Sequence, residues 1–407
     1  MKCRHCASEL MHTFLDLGFA PPSNAYLTKS DLIRPEKYFP LKVKVCDHCW
    51  LVQTEDYAQA SELFDSEYAY FSSTSSGWLE HARKYAEKMI HDLGLNKDSL
   101  VVEVASNDGY LLKNFVDKNI PCLGIEPTAS TAKVAEGLSI PVLHEFFTEK
   151  LGTELAADGR QADLIAGNNV YAHVPDINDF TRGLKAALKS DGVITLEFPH
   201  LMRLIEFTQF DTIYHEHFSY LSLYTATQIF KSAGLRIWNI EELSTHGGSL
   251  RIYGCHMDSN YQQLPVVEAI LEEEFRRGLQ DLSTYLSFQA KADAIKNEVL
   301  EFLISQKKNG KKVAAYGAAA KGNTLLNYAG IKPDLLPFVC DAALSKQGKY
   351  MPGSHIPIVR PSVLAESKLD YVLILPWNIA HEVVQETMPL LSGEAKFLIA
   401  IPTLKML

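Results

Sequence analysis

Two cysteine pairs, Cys3-x2-Cys6 and Cys46-x2-Cys49, constrain this chain more than any other feature. One CxxC knuckle can present two thiolates to a metal, and two knuckles make a tetrahedral four-sulfur set of the kind zinc takes. Cys3, Cys6, Cys46 and Cys49 are therefore the expected ligands of a structural Zn2+, because four protein ligands leave no open position for a catalytic water. In a reducing compartment these thiols are not expected to form disulfides. The alternatives are a thioredoxin-like redox pair, unpaired thiols, or His5, His12 or His48 in place of one Cys ligand. About 40 residues separate the knuckles, so a small β-rich insertion must fill the gap. YFPLKVKVC and WLVQ carry the alternation and β-branching for its strands. So small a unit buries too little core to stand alone, and a bound metal offsets that deficit.

From about residue 80 the texture changes to alternating helix and strand. SSGWLEHARKYAEKMIHDLGL reads as an amphipathic helix that stops at Gly94. Then come a buried strand over 100–104, a polar turn over 105–109, a helix and a second strand over 122–126. ADLIAGNN and GVITLEFP supply further strands, and this succession predicts a parallel, doubly wound sheet. Such sheets bind nucleoside-containing cofactors at the carboxyl ends of their strands. Glu126 closes the second strand, 23 residues after Glu103, where a carboxylate can accept both hydrogen bonds of a ribose diol. The turn Ser106-Asn107-Asp108-Gly109 brings backbone close to the cofactor, with Gly109 permitting a conformation that a side chain would block. A dinucleotide site would want GxGxxG. An acidic loop without phosphate-binding features suits S-adenosylmethionine, whose sulfonium is cationic and which has no phosphate. Glu103 or Asp108 can engage its amino-acid end directly or through water, and Asn168 and Asn169 are candidates for its amino group. An ordinary strand–turn–helix is the plain alternative.

Tyr214-His215-Glu216-His217 concentrates titratable groups in four residues. The run lacks the HExxH spacing that presents two histidines from one helix face, so a second metal is the weaker reading beside a base or a solvated loop. His173, in NNVYAHVPD, follows a strand that should end near the cofactor. Tyr68 and Tyr70 precede an SSTSS turn and are either core packing or site residues. Residues 263–306 read as amphipathic helices that form a packing layer. KKVAAYGAAAKGNTLLNY then repeats the strand–turn–helix grammar, and FVCDAA, YVLILPW and KFLIAIP supply three more strands. In GAAAKGN the small residues allow close backbone approach and Lys321 offers a cation to a phosphate. NAD is the rival ligand there, with Asp341 as the acid after the next strand.

The loop resembles motif I of class I methyltransferases in the variant E-x-x-S-N-D-G, with Ala105 where glycine is more usual. The two knuckles, YFSSTSS at 70–76, YHEHFSY at 214–220, GGSLR at 247–251 and GAAAKGNTLLNY at 317–328 follow in order. Together they resemble the three-domain sugar C-methyltransferases that branch nucleotide-linked 4-keto deoxysugars at C-3. The resemblance covers essentially the whole chain. It implies an α/β fold in three parts: a four-cysteine zinc-binding domain (1–62), a class I, Rossmann-like methyltransferase domain (63–243), and a C-terminal Rossmann-like domain for the sugar nucleotide (244–407). It places the general base on His217, with Glu216 and Tyr214 orienting it or binding sugar. It puts His173 near the transferred methyl or sugar, and a tyrosine of the 68–70 segment over the active site. Lys321 and Asn323 become the diphosphate contacts, and GGSLRIY with Arg251 a hinge in reach of the same ligand.

Composition narrows the partners. Lys plus Arg total 39 against 49 Asp plus Glu, a net charge of -10, which disfavours a general nucleic-acid binder. No apolar run approaches the ~20 residues of a membrane span, and MKCRHCASEL shows no signal-peptide h-region, so a cytoplasmic, membrane-free chain is expected. The expected substrate is an NDP-4-keto-6-deoxysugar, dTDP first and GDP or CDP as alternatives, handled by a monomer. The competing function is an NAD(P)-dependent sugar-nucleotide oxidoreductase or epimerase using the C-terminal domain.

Overall fold

The computed structural model describes residues 1–55, 72–391 and 395–407; Tyr68 and Tyr70 lie outside the described residues. Among the described residues three sheets form. The first is antiparallel: β1 (His12–Ala20), β2 (Phe39–Val45) and β3 (Val52–Thr54) pair in that order. β2 and β3 are the strands expected between and after the knuckles. β1 escapes the period-2 pattern because its pairing shifts register twice. The fourth strand is the pair Ser219–Tyr220, 165 residues beyond the end of β3, which adds onto β3.

The second sheet contains β4 (Val101–Val104), β5 (Cys122–Ile125), β6 (Val142–Leu143), β7 (Ala162–Asn168), β8 (Leu188–Pro199), β9 (Leu235–Leu243) and β10 (Ser249–His256). Their order is β9-β10-β8-β7-β4-β5-β6. The run from β8 through β6 is parallel throughout, and β10 is antiparallel to both its neighbours. Helix α1 (Ser76–Leu93) covers this sheet. Ser75 Oγ accepts from the Trp78 N–H at 3.2 Å at its start, and Gly94 closes it at φ 60°, as the sequence predicts.

The hinge expected at GGSLRIY is instead β10, held on both edges by the second sheet. The last strand of this sheet ends at His256.

The third sheet is parallel except at one edge. β11 (Val313–Tyr316), β12 (Val339–Cys340), β13 (Ile358–Val359), β14 (Tyr371–Ile374), β15 (Lys396–Ile399) and β16 (Lys405–Met406) pair in the order β13-β12-β11-β14-β15-β16. Helix α2 (Phe288–Lys308) is the expected packing layer: Phe288, Ala292, Ile295, Val299 and Leu303 bury one face at helical spacing. Phe14 of β1 stacks on Phe288 with ring centroids 4.5 Å apart. One apolar cluster runs from β1 and β2 through α2 into the third sheet, while Cys3, Cys46, Cys49 and Leu51 join the core of the second. The N-terminal unit thus gains from its neighbours the burial it cannot make alone, at about 1.5–3 kcal/mol per large apolar side chain. Among the described residues no helix is long and apolar enough to cross a membrane.

Candidate active site and metal centre

The metal centre is set by the knuckles. The four cysteine sulfurs lie within 4.8 Å of one another, with Cys3–Cys49 and Cys6–Cys46 at 3.5 Å. Sulfurs at ~2.3 Å from a tetrahedral centre stand about 3.8 Å apart, so the set fits zinc. Of the alternative ligands, His5 Nδ1 pairs with Asn178 Oδ1 at 2.8 Å and His12 Nε2 with Asp47 at 3.2 Å. Gln53 Nε2 donates to Cys3 Sγ at 3.2 Å, an outer-shell contact that orients the ligand.

A cavity of about 630 Å³ lies between the carboxyl ends of the second and third sheets. Its walls bring together Asn107, Glu126, Asn168, His173, Tyr214, Glu216, His217 and Lys321 from the sequence-predicted set. The turn after β4 carries three left-handed residues, Ala105 (φ 58°), Asn107 (φ 49°) and Gly109 (φ 79°). At Gly109 the φ of 79° and the Ala135 Cα, 3.2 Å from where a Cβ would stand, favour glycine. Ala105 takes the backbone of the missing glycine, a strain of about 1–2 kcal/mol.

Glu126 binds this turn as well as lining the cavity: Oε2 accepts from the Asn107 N–H at 2.9 Å and Oε1 from the Thr128 N–H at 2.8 Å. Each oxygen keeps acceptor capacity for a ribose hydroxyl. Asn168 Oδ1 is buried with no hydrogen-bond partner among the described residues, an acceptor placed for a donor such as an ammonium group. Val104, Ile125, Phe146 and Phe147 give apolar lining beside them, and among the described residues the Lys or Arg side chains in the cavity wall are Lys321 and Lys346, which come from the C-terminal third of the chain. This donor set fits S-adenosylmethionine.

Glu103 in β4 and Ser106, Asp108 and Gly109 in the loop after it are buried and do not line the cavity. Burial, then the charges of Asp108 and Glu126, hold the Glu103 carboxyl well above the usual range. Asp108 Oδ2 accepts from the Ser73 N–H and Asn107 Oδ1 from the Ser72 N–H, each at 3.0 Å. The polar turn therefore ties down the segment at 72–73, a role its sequence does not announce.

The consecutive residues of the His-Glu-His run diverge to three partners. His215 Nε2 meets the Pro40 carbonyl at 3.2 Å, Glu216 takes the Asn24 amide on both carboxylate oxygens at 2.9 Å, and His217 Nδ1 meets the Thr212 carbonyl at 2.9 Å. A carbonyl only accepts, so Nδ1 carries the hydrogen and Nε2 keeps its lone pair. His173 packs edge-on against His217 at 4.6 Å, and Tyr214 covers it at 4.0 Å. Burial first, then His173, hold the His217 pKa well below its ordinary value; burial pushes His173 down to about 4. Both rings are neutral at neutral pH.

Lys321 donates to Asn378 Oδ1 at 2.7 Å and sits 4.7 Å over the Trp377 ring. Burial pulls its pKa down to about 8. Trp377 Nε1 donates to buried Asp211 at 2.7 Å, and burial raises that carboxyl to about 6. Gly317 (φ 90°) lets this turn approach Pro376, where a Cβ would fall 2.3 Å from the ring. Two predicted contacts are corrected. Asn323 is buried away from the cavity, its amide donating to the Ser23 carbonyl at 2.6 Å. Arg251 is buried within the second sheet, donating to Glu197 at 2.7 Å and Glu241 at 3.0 Å over the Tyr85 ring, because β10 places it between those carboxylates. Asp341, the acid for an NAD reading, accepts from the Ala318 and Ala343 N–H groups at 2.7 and 2.8 Å and is not among the described residues that line this cavity.

The cavity also contains residues that sequence reasoning missed. Asn24 and Lys346 give no local signal; His246 stood beside the singled-out GGSLR and has φ 53°, with its Nε2 3.2 Å from Asn169.

A seven-stranded sheet of this order, with a carboxylate closing its second strand over a cavity, defines a class I methyltransferase. Comparison with known proteins takes this further. Residues 3–64 match a zinc binding domain, 78–240 a methyltransferase domain and 244–402 a C-methyltransferase C-terminal domain. The C-methyltransferase NovU of Streptomyces niveus is 33% identical over 401 residues, covering 98% of this chain and 95% of that protein. The chain belongs to this C-methyltransferase family, with S-adenosylmethionine as methyl donor and a four-cysteine zinc site. Among solved structures, magnesium protoporphyrin IX methyltransferase of Synechocystis PCC 6803 with bound SAM is 13% identical (TM-score 0.34, 44% of this chain and 80% of that one). A 1,6-didemethyltoxoflavin-N1-methyltransferase of Burkholderia thailandensis is 14% identical (TM-score 0.37, 51% and 96%).

Proposed function

We propose that this C-methyltransferase acts on C-3 of a nucleotide-linked 4-keto-6-deoxyhexose, in branched deoxysugar biosynthesis. One observation carries the reading: His217 is held neutral, with Nδ1–H on the Thr212 carbonyl, in the same cavity as Glu126 and Asn168. A carbon nucleophile needs a base, and a C–H bond beside a ketone is one a histidine can break. His217 Nε2 takes the C-3 proton while the electron pair passes to the enolate oxygen. Tyr214 and His173 fix the ring, and Glu216, anchored by Asn24, supports the turn that carries it. Glu126 and Asn168 hold the ribose and amino group of the cofactor, and Asn107 shapes the loop between them. S-adenosylmethionine, when bound, supplies a methyl group on a sulfonium, the electrophile for C-3. Lys321, with Lys346 beside it, offers positive charge to the substrate diphosphate.

The chain divides its work accordingly, with the metal unit over 1–62, the methyl-donor unit in the middle and the sugar-nucleotide unit after it. A dTDP carrier is the first expectation, GDP or CDP the alternatives. The oxidoreductase reading loses support because residues 244–402 match a C-methyltransferase C-terminal domain and Asp341 is not among the described residues that line the cavity. Mass spectrometry of each candidate NDP-4-keto sugar incubated with enzyme and S-adenosylmethionine tests the proposal. A product heavier by one methyl is expected. No added methyl on any of them, with methylation of a non-sugar acceptor, would overturn it.

A further inference from the structure

The cysteine knuckle reads as a structural metal site, yet Arg4 within it reaches the peptides that carry both site histidines. Arg4 lies between Cys3 and Cys6. One arm of its guanidinium donates to the Pro175 carbonyl at 2.8 Å, two residues past His173. The other donates to the Thr54 carbonyl at 3.0 Å. Thr54 in turn takes hold of the His217 segment: its hydroxyl donates to the His217 carbonyl and its N–H to the Phe218 carbonyl, both at 3.2 Å. The Phe218 N–H then donates to the Ala172 carbonyl at 2.8 Å, next to His173, and the Arg4 guanidinium lies 5.5 Å over the Phe218 ring. These bonds close a ring: Arg4, Thr54, the 217–218 peptide, the 172–175 peptide, and Arg4 again. The knuckle itself is fixed at the other end, since the Arg4 N–H donates to Gln53 Oε1 at 2.9 Å and Gln53 donates to Cys3 Sγ.

We infer that Arg4 is a positioning residue for the proton-transfer pair: through Thr54 and Pro175 it sets the spacing of the His217 and His173 peptides, so the zinc knuckle acts as a jig for the base. The inference rests on the reading of His217 as base. A guanidinium fork holds two carbonyls in one rigid geometry, which an ammonium cannot copy. A support displaced by ~1 Å can cost about 10²-fold in rate without touching the substrate.

The test uses the full chain with Arg4→Ala and Arg4→Lys, each checked for one zinc per chain. In zinc-replete Arg4→Ala, kcat should fall by roughly 10–10²-fold with KM for both substrates nearly unchanged, the signature of a displaced support. Arg4→Lys should recover part of it. In the ligand-free protein, the ring resonances of His217 and His173 should shift in Arg4→Ala. Unchanged ring resonances together with wild-type kcat would overturn the inference. If Arg4→Ala does not retain zinc, Thr54→Val takes its place. It lies outside the knuckle and removes only the hydroxyl bond to the His217 carbonyl; the same fall in kcat supports the jig and wild-type turnover rejects it. The ring signals read the placement of His217 without turnover, so they decide this inference even if His217→Asn should show that another group takes the proton.

Discussion

His217 Nδ1 donates its hydrogen to the Thr212 carbonyl at 2.9 Å, across a tight turn that starts one residue past buried Asp211. That single bond fixes the tautomer, presents Nε2 as the basic nitrogen, and ties the ring to a backbone atom that cannot titrate. In the cavity around it some polar groups are oriented from nearby in the chain, as Glu126 is by the Thr128 N–H, whereas Glu216 is held from 192 residues away by Asn24.

Replacing the base should be costly in rate and cheap in binding. His217→Asn should lower kcat by roughly 10²–10⁴-fold, with KM values little changed. Solvent-deuterium exchange at C-3 without methyl donor, where the wild type shows it, should vanish. The ring pKa lies below its ordinary 6.5, so from pH 8 down to about 6.5 this base stays neutral and kcat/KM should not fall on its account. The same depression means the unfolded chain binds the proton first, so folding stability should drop as pH falls below about 6.5. Near-normal turnover in His217→Asn would move the role to His173 or Tyr214.

Glu126→Ala should raise KM for S-adenosylmethionine far more than that for the sugar. Two charge-assisted bonds to a diol are at stake, each worth about 1.5–3 kcal/mol at most. The variant also frees the Asn107 and Thr128 N–H groups, so calorimetry of cofactor binding should be read beside a melting curve. Unchanged cofactor affinity would reject the assignment.

Metal analysis should find one zinc per chain. Cys46→Ser should lose the metal and stability together, because Cys46 is buried in a core shared with the second sheet. A zinc-free wild type of full stability would contradict this.

Lys321→Ala should weaken binding of the sugar nucleotide and leave S-adenosylmethionine binding intact, since Lys321 enters the cavity from the first turn of the helix after β11 and Glu126 from the end of β5. Isothermal titration with each ligand separates the two. If the wild type binds NAD and the variant does not, the oxidoreductase reading moves ahead.

Arg251→Ala should unfold more readily without losing ligand contacts. Stranding buried Glu197 costs roughly 3–5 kcal/mol, to be seen as a lower urea midpoint. Arg251 and His81 hold the Glu197 carboxyl down to about 2 against the cost of its burial, so its contribution is present above pH ~4.5 and lost as pH falls through about 2. A nucleotide affinity that collapses while stability holds would restore Arg251 to the substrate site.

What the sequence determined is what short range can encode. Two CxxC spacings place four sulfurs at one point, because each knuckle is a local covalent loop. Strand–turn–helix patterning placed Glu126 and the turn at 105–109 at the carboxyl end of a parallel sheet, since periodicity of 2 and 3.6 is a local property. Ordered motifs then carried the family. Only the tertiary structure decided which side chains meet. Arg251 looked like a ligand contact until β10 set it between Glu197 and Glu241, and Asn323 until the Ser23 carbonyl took its amide. Asn24, His246 and Lys346 reach the cavity from segments with no motif of their own. The physical reason is one of range. Dihedral preferences and hydrophobic period act over a few residues, whereas the partner of a buried charge is chosen by how whole sheets pack, and that packing joins Arg4 to Pro175 and Thr54 to His217 across more than 160 residues.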